Sequence, residues 1–359
     1  MTENVHDNKP SATKRILGYL LKYGVPLLVT LLLCVLLFRD VDFDEMVAII
    51  RDQCNFWWIG LALVISIFSH IFRAMRWRIQ LRAVDVDAPL FALVLSIFGT
   101  YAVNLVLPRL GEVWRTGYIA GRQDAPFSKV FGSMVADRLA DTVTVLLLTI
   151  VTFFLAAGQL GDYLSQNSEG YERMLSSLTS PWLWGAIAAC VAFAWWFLAH
   201  KSSNKAVLRI QGFFKGLWEG FAAIATMKGK GMWLVLTFCI WGCYFTQLYV
   251  CFYAFGFTAD ILSEYGILAA LITFVLSSIS MGVPSNGGIG PWQWSVIFAL
   301  GLYGLSREPA TAFANLVMGA QTLLLIVLGV FTFTCIALGK NRRGNSPGSP
   351  GTTPGSVKK

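Results

Sequence analysis

Six runs of predominantly apolar residues, at about 16–38, 56–72, 130–157, 181–200, 232–256 and 311–338, constrain this chain more than any other feature of its sequence. A helix crosses a hydrocarbon core roughly 30 Å thick in about 20 residues, and each run comes close to that length or exceeds it. Inside lipid the backbone has no water to bond, so a spanning segment closes its own hydrogen bonds as a helix. Composition points the same way: 56% of the residues are hydrophobic and 13% charged, against roughly 25% charged in a soluble domain. A water-soluble fold is excluded. The expected fold class is all-α, a polytopic integral membrane bundle.

The net charge of +8 reads as topology and not as a nucleic-acid surface. Lys and Arg gather in loops held on the cytoplasmic side, where they also attract anionic headgroups. Asp40, Asp42, Asp44 and Glu45 follow the first run, and Arg73, Arg76, Arg78 and Arg82 follow the second. The loop 158–180 is acidic, 201–230 is basic, and Lys340, Arg342 and Arg343 follow the last run. Both termini are therefore expected in the cytoplasm of a multi-pass cell-membrane protein. Basic residues before the first run resemble a signal peptide, but the run is too long and no small-residue cleavage site follows, so it is read as a retained helix.

Two further apolar stretches, 90–107 and 265–305, are broken by Pro, Gly and polar residues. The charge alternation holds only if each enters and leaves on one face, the first from the cytoplasm and the second from outside. Both are expected as re-entrant helical hairpins, whose irregular backbone has to be buried in protein or line a watery cavity. Apolar residues at helical spacing among Lys and Arg put an interfacial helix at about 205–228. Residues 1–15 are expected to be a mobile cytoplasmic N-terminus and 340–359, rich in Gly, Pro and Ser, a disordered cytoplasmic tail. The transmembrane domain, 16–339, lies between them.

The hairpins share P-x-x-G, at Pro108/Gly111 and Pro284/Gly287, an offset of 176 residues that also carries Trp57 onto Trp233. Asp141-Thr142 falls near Gln321-Thr322. Chance can produce such matches in a Gly-rich chain. The shared order of helix, hairpin and helix is the stronger sign of a repeat, with copies at about 56–157 and 232–338. Three crossings separate the copies, an odd number, so they would be inverted, an arrangement that recurs among transporters.

Asn104, Arg109, Glu112 and Arg115 stand within or just beyond one apolar run, and Asp137, Arg138 and Asp141 lie several residues into the next. Ionised groups at that depth are costly unless they face protein or water. They form either a salt-bridge network fixing the hairpin to its neighbour or a site for an anionic headgroup or coupling ion. Guanidinium groups match phosphate, and a hairpin that breaks at Pro-x-x-Gly can turn helix N-terminal amides toward an anion. Asn286, Gly287, Gly288 and Gly290 make a second turn, read either as plain close packing or as part of the same cavity, with Gln293 and Gln321 beside it. No K-[ST] follows, which argues against a nucleotide loop. Arg73 and Arg76 read most simply as an inner-interface anchor and alternatively as contacts to lipid phosphate. Three scattered histidines and seven cysteines form no metal set or nucleophile constellation, so no cofactor is expected.

Four segments together resemble one family: R-x-x-R-W at 73–77, N-x-x-x-P-R-x-G-E-x-x-R at 104–115, D-R-x-x-D at 137–141 and P-x-N-G-G-I-G at 284–290. It is the lysylphosphatidylglycerol synthase transmembrane-region family, also called flippase-like membrane proteins, and the resemblance covers about 15–335. It implies a multi-helix domain that, in aminoacyl-lipid synthases, is associated with moving lipid across the bilayer, with transferase activity in a separate soluble domain. The short tail gives no expectation of that domain here. The family pattern tends to carry Glu three residues after the last Gly of the turn; Gln293 stands there instead, which counts against proton handling at that position. The expected function is a non-enzymatic transporter or flippase of an anionic phospholipid or polyprenyl-phosphate-linked lipid, with membrane lipids as partners. Two other classes stay open, a non-transporting scaffold or regulator of a lipid-modifying enzyme and an intramembrane headgroup transferase.

Overall fold

One long helix, α2 (Phe56–Arg82), inverts the pattern of a soluble amphipathic helix. In the computed structural model, which describes residues 43–166, 181, 185, 227–283 and 285–344, Asn55 caps α2 by accepting from the Trp57 amide at 3.1 Å. One face turns Leu61, Val64 and Phe68 outward, while another buries Ser66, Ser69, His70, Arg73, Arg76 and Gln80. In lipid the apolar side chains can face out, and the polar ones have to find partners inside the bundle. Its last residue, Arg82, donates to Asp87 at 2.9 Å and holds that carboxyl below the usual carboxylate range.

Ten α-helices and one 3₁₀ turn occur among the described residues, with no strand. Around α2 they are α1 (Phe43–Gln53), α3 (Leu90–Val106), α4 (Leu110–Arg122) and α5 (Phe127–Gln166). The second half holds α6 (Lys230–Cys251) with a 3₁₀ turn at Phe252–Ala254, α7 (Gly256–Tyr265), α8 (Ile267–Ser280), α9 (Pro291–Gly301) and α10 (Arg307–Gly344). Four are long and apolar enough to cross a membrane: α2, α5 over Phe127–Ala156, α6 with its 3₁₀ turn, and α10 over Arg307–Leu338. The pair α7–α8, bent by 111°, makes a fifth if taken as one span. The protein is a polytopic α-helical membrane bundle. The runs expected at 16–38 and 181–200, the interfacial helix at 205–228 and the segments 1–15 and 345–359 lie outside the described residues, apart from a few single positions. Helix α10 continues to Gly344, so the tail predicted to be disordered from 340 begins as helix. Helix α1, which begins among the acidic residues that follow the first run, packs against α10.

Both broken stretches fold as helical hairpins. Helices α3 and α4 are joined by residues 107–109 and run antiparallel, since Gly99 lies against Trp114 and Gly111 against Thr100. At Gly111 a Cβ would fall 2.1 Å from the Thr100 carbonyl oxygen, so a side chain there would force the helices apart. Helices α8 and α9 make the second hairpin across residues 281–290, with Pro291 in the first turn of α9. The packing between halves is reciprocal: α2 lies along α6, α3 packs on α10, and α8 packs on α5. One apolar core gathers around Phe252, Phe255 and Phe313, another around Trp77, Leu93, Ile97 and Ile119. Leu146 and Phe154 on α5 and Leu323 and Val330 on α10 stay exposed on the outer surface, where lipid would cover them.

Candidate functional site

Asp137 and Asp141 are four residues apart on α5 and Arg73 and Arg76 three apart on α2, so each pair shares a helix face, and the two faces meet. Arg76 Nη2 donates to Asp137 Oδ1 at 2.6 Å and to Asp141 Oδ1 at 2.7 Å, while Arg73 Nη1 donates to Asp141 Oδ2 at 2.7 Å. Arg76 also reaches Thr237 Oγ1 on α6 at 3.4 Å, and Arg73 Nε reaches the Tyr244 hydroxyl at 3.3 Å. All four charged side chains are buried, Arg76 and Asp137 completely. Removing such ions from water costs several kcal/mol each, which only multiple short charge-assisted hydrogen bonds can offset. The four arms therefore pair with one another across the two helices. Arg73 and Arg76 correct the interface reading: they are not surface anchors but the buried cationic half of this network.

The first hairpin adds a second layer. Its turn is set by Arg109, a non-glycine residue in the left-handed region at φ 61°. Asn104 Oδ1 then accepts from the Gly111 amide at 2.8 Å, and Asn104 Nδ2 donates to Glu112 Oε2 at 3.2 Å. Glu112 in turn accepts from Arg138 at 2.8 Å. One turn further along α4, Arg115 is wholly buried, its guanidinium carbon 4.4 Å from the centre of the Trp77 ring. Trp77 is fixed from behind by donation to Ser133 at 2.8 Å. Arg115 Nη2 stands 3.5 Å from Asp137 Oδ2, yet none of its three nitrogens makes a hydrogen bond. Four arginines thus face three carboxylates. The Glu112 and Arg138 side chains, 19% and 33% exposed, form the open edge of the cluster.

The second hairpin meets the tip of the first. Arg109 Nη2 donates to the Gly282 carbonyl at 2.7 Å, and Leu105 lies against Gly287, which has φ 62°. A Cβ at Gly287 would fall 2.6 Å from a Leu105 methyl carbon. Gly288 and Gly290 also take positive φ, and the Asn286 carbonyl accepts from Ile289 N–H at 3.1 Å, so the segment is a tight turn. Gln293 stays within its own half: its Oε1 accepts from the Gly290 amide at 2.9 Å and its amide donates to Asn315. Gln321 lies elsewhere, accepting from Gln247 and donating to Ser66, each at 2.9 Å.

The structure therefore gathers Asn104, Glu112, Arg115, Asp137, Arg138 and Asp141 with Arg73 and Arg76, and it sets Arg109 apart at the hairpin tip against the turn of Asn286 to Gly290. Gln293 bonds the Gly290 amide at the end of that turn and reaches neither Arg109 nor the charge cluster. Sequence reasoning missed Tyr244, Thr237 and Tyr101, whose hydroxyl lies 3.5 Å from that of Tyr244, and it met Trp77 only as part of a motif. No group of three metal-ligating side chains converges among the described residues.

A family model described as lysylphosphatidylglycerol synthase TM region matches residues 24–329. The chain belongs to that family. Among its curated relatives is the UPF0104 membrane protein MJ1595 of Methanocaldococcus jannaschii, 20% identical over 142 residues that cover 38% of this chain and 42% of the relative. Another is Glycosyltransferase AglD of Haloferax volcanii, 30% identical over 139 residues that cover 38% of this chain and 22% of the relative. The matched segments thus span less than half the length of either relative. No solved structure matches the chain. As a member of the lysylphosphatidylglycerol synthase transmembrane-region family it is a multi-pass membrane protein, and the four segments that carried the resemblance hold most of the buried charge cluster and the two hairpin turns.

Proposed function

We propose that this chain moves an anionic lipid, or a lipid-linked headgroup such as a polyprenyl phosphate, between the leaflets of the cell membrane, without catalysing a covalent reaction. The observation that carries the reading is the cluster of seven ionised side chains held inside a bundle with an apolar outer surface. Charge at that depth is expensive and is typically kept for moving something charged. The touching hairpin tips beside it are where a gate would sit.

An inverted repeat supports the same reading. Each half runs long helix, helical hairpin, long helix, and each closes with a polar pair between its first and last helix, Arg73–Asp141 in one and Gln247–Gln321 in the other. Each pair is touched by the first helix of the other half, through Tyr244 and Ser66 respectively. With six spans, both termini in the cytoplasm and the hairpins re-entering from opposite faces, the broken segments would meet near the midplane. Reconstitution with fluorescent anionic lipids tests the proposal through the rate of their exchange between leaflets.

A second reading, scaffold or regulator of a lipid-modifying enzyme, is favoured by one finding: the matched segment covers 22% of a relative named a glycosyltransferase. There it is one part of a larger enzyme. That reading expects no lipid exchange from the purified chain and a changed rate when the enzyme is reconstituted with it.

A further inference from the structure

His70 sits midway along α2 with 3% of its surface exposed, and neither ring nitrogen hydrogen-bonds another described residue. A neutral imidazole carries one donor and one acceptor, and leaving both idle inside a bundle costs free energy that packing has to offset. That packing comes from α3. The Tyr101 ring lies 4.7 Å from the His70 ring, centre to centre, and the Phe98 ring meets it edge-on at 6.0 Å. Arg73 stands one turn further along α2. Around this point α6 brings Tyr244, its hydroxyl 3.5 Å from that of Tyr101, and α5 brings Asp141, which accepts from Arg73 and Arg76. Helix α4 brings Arg115 to Trp77, two turns further on, and α10 brings Gln321, which does not titrate, to Ser66. A proton added here would set an imidazolium beside a guanidinium with no carboxylate of its own, so the closed bundle holds His70 neutral.

The cover over His70 lies where α3 stops being held. Ala92, Leu93 and Leu95 to Thr100 are buried, whereas none of Tyr101 to Val106 is. Beyond them the tip is tied to the second hairpin by the Arg109 bond to the Gly282 carbonyl and by the Leu105 contact with Gly287. Lifting the tip takes Tyr101 off His70 and lets water reach the ring. We propose that His70 is a proton-binding site that couples pH to the first hairpin, neutral and covered when the tip lies down and protonated when it lifts. The proton comes from water and adds to the idle ring nitrogen. An uncovered imidazole has its ordinary pKa of about 6.5. Above that pH neither state takes a proton, and the covered state keeps its full advantage. Below it only the uncovered state does, so acid favours lifting by up to about tenfold per pH unit. The site depends on the hairpin alone and does not require that the chain move lipid.

Spin labels on Val106→Cys of α3 and Phe238→Cys of α6, both exposed positions, report where the tip lies in the full chain freed of its native cysteines. Distances are measured from about pH 8 down to about pH 5, the range in which an imidazole titrates. With His70 in place a second, displaced population should grow as the pH falls below about 6.5. His70→Phe fills the same space without a titrating nitrogen, and His70→Gln keeps a polar side chain that takes no proton. Both should hold a single population at every pH. The thermal midpoint of His70→Phe should equal or exceed that of wild type, because two idle buried nitrogens are gone. A displaced population that still grows with acid in both variants would assign the proton to another group and overturn the proposal. So would distances with His70 in place that do not change with pH. A pH response lost in both variants, alongside no lipid exchange in liposomes at any pH, would keep the proton site and remove the transport reading.

Discussion

Arg76 and Asp137 are both completely buried and stand 2.6 Å apart, joining α2 to α5 through a contact that neither helix can satisfy alone. Asp137 Oδ2, on its other side, lies within 3.6 Å of Arg73 and 3.5 Å of Arg115. The same carboxylate therefore answers to three arginines. Replacing Asp137 by Asn leaves Arg76 short of its closest partner, and the network with a second surplus charge. Unfolding in detergent should find this variant less stable by about 3–5 kcal/mol, the usual cost of breaking a buried ion pair from one side.

The close approach at Gly111 gives a purely steric prediction. Gly111→Ala puts a methyl group into the Thr100 carbonyl, which α3 can relieve only by moving off α4. The expected loss is about 1–3 kcal/mol of stability, typical of overpacking. Gly117, on the same helix but with nothing facing it, is the control, and Gly117→Ala should leave stability unchanged or slightly raised.

The neutral pair in the second half separates packing from function. Gln247→Leu and Gln321→Leu each break one amide contact, and a double-mutant cycle should return a coupling of about 0.6 kcal/mol, with an upper bound of roughly 1.7. If Gln247–Gln321 is the counterpart of Arg73–Asp141 within an inverted repeat, it fixes the second half as the ion pair fixes the first. Neither variant should then change binding of an anionic lipid.

Opposite orientation of the two halves is checked by labelling. In a background lacking the seven native cysteines, a cysteine at exposed Asp87 should react with a membrane-impermeant maleimide only from the cytoplasmic side. One at exposed Ser306 should react only from outside. Labelling of both from one side would end the inverted topology.

Much of the fold is legible in the sequence because lipid leaves so few choices. The runs at 56–72, 130–157, 232–256 and 311–338 are long and apolar, and each is a helix where described. Pro108 and the glycines at 287–290 mark the hairpin breaks through backbone geometry alone. Arg73 and Arg76 mislead because positive charge late in a span usually marks the cytoplasmic edge. Their true signal is spacing: Ser66, His70, Arg73, Arg76 and Gln80 recur every three or four residues, the mark of a polar face turned into a bundle. The partners of that face are not legible. Tyr244 comes to Arg73 from 171 residues away and Thr237 to Arg76 from 161, and no local pattern announces either. Gln293 misleads in the other direction, since a polar residue after a glycine turn suits a cavity as well as it suits the N-terminus of its own helix, where it bonds the Gly290 amide.

The measurement that bears most directly on lipid movement is leaflet exchange of fluorescent phosphatidylglycerol and polyprenyl phosphate in liposomes holding purified protein, compared with Arg109→Ala and Asp141→Asn variants verified as folded. The account predicts rapid exchange with wild type, slowed when the tip contact from Arg109 to Gly282 is lost and abolished when Asp141 can no longer balance Arg73 and Arg76. Exchange no faster than in protein-free liposomes, for every lipid tried, would contradict it and leave the scaffold reading in its place.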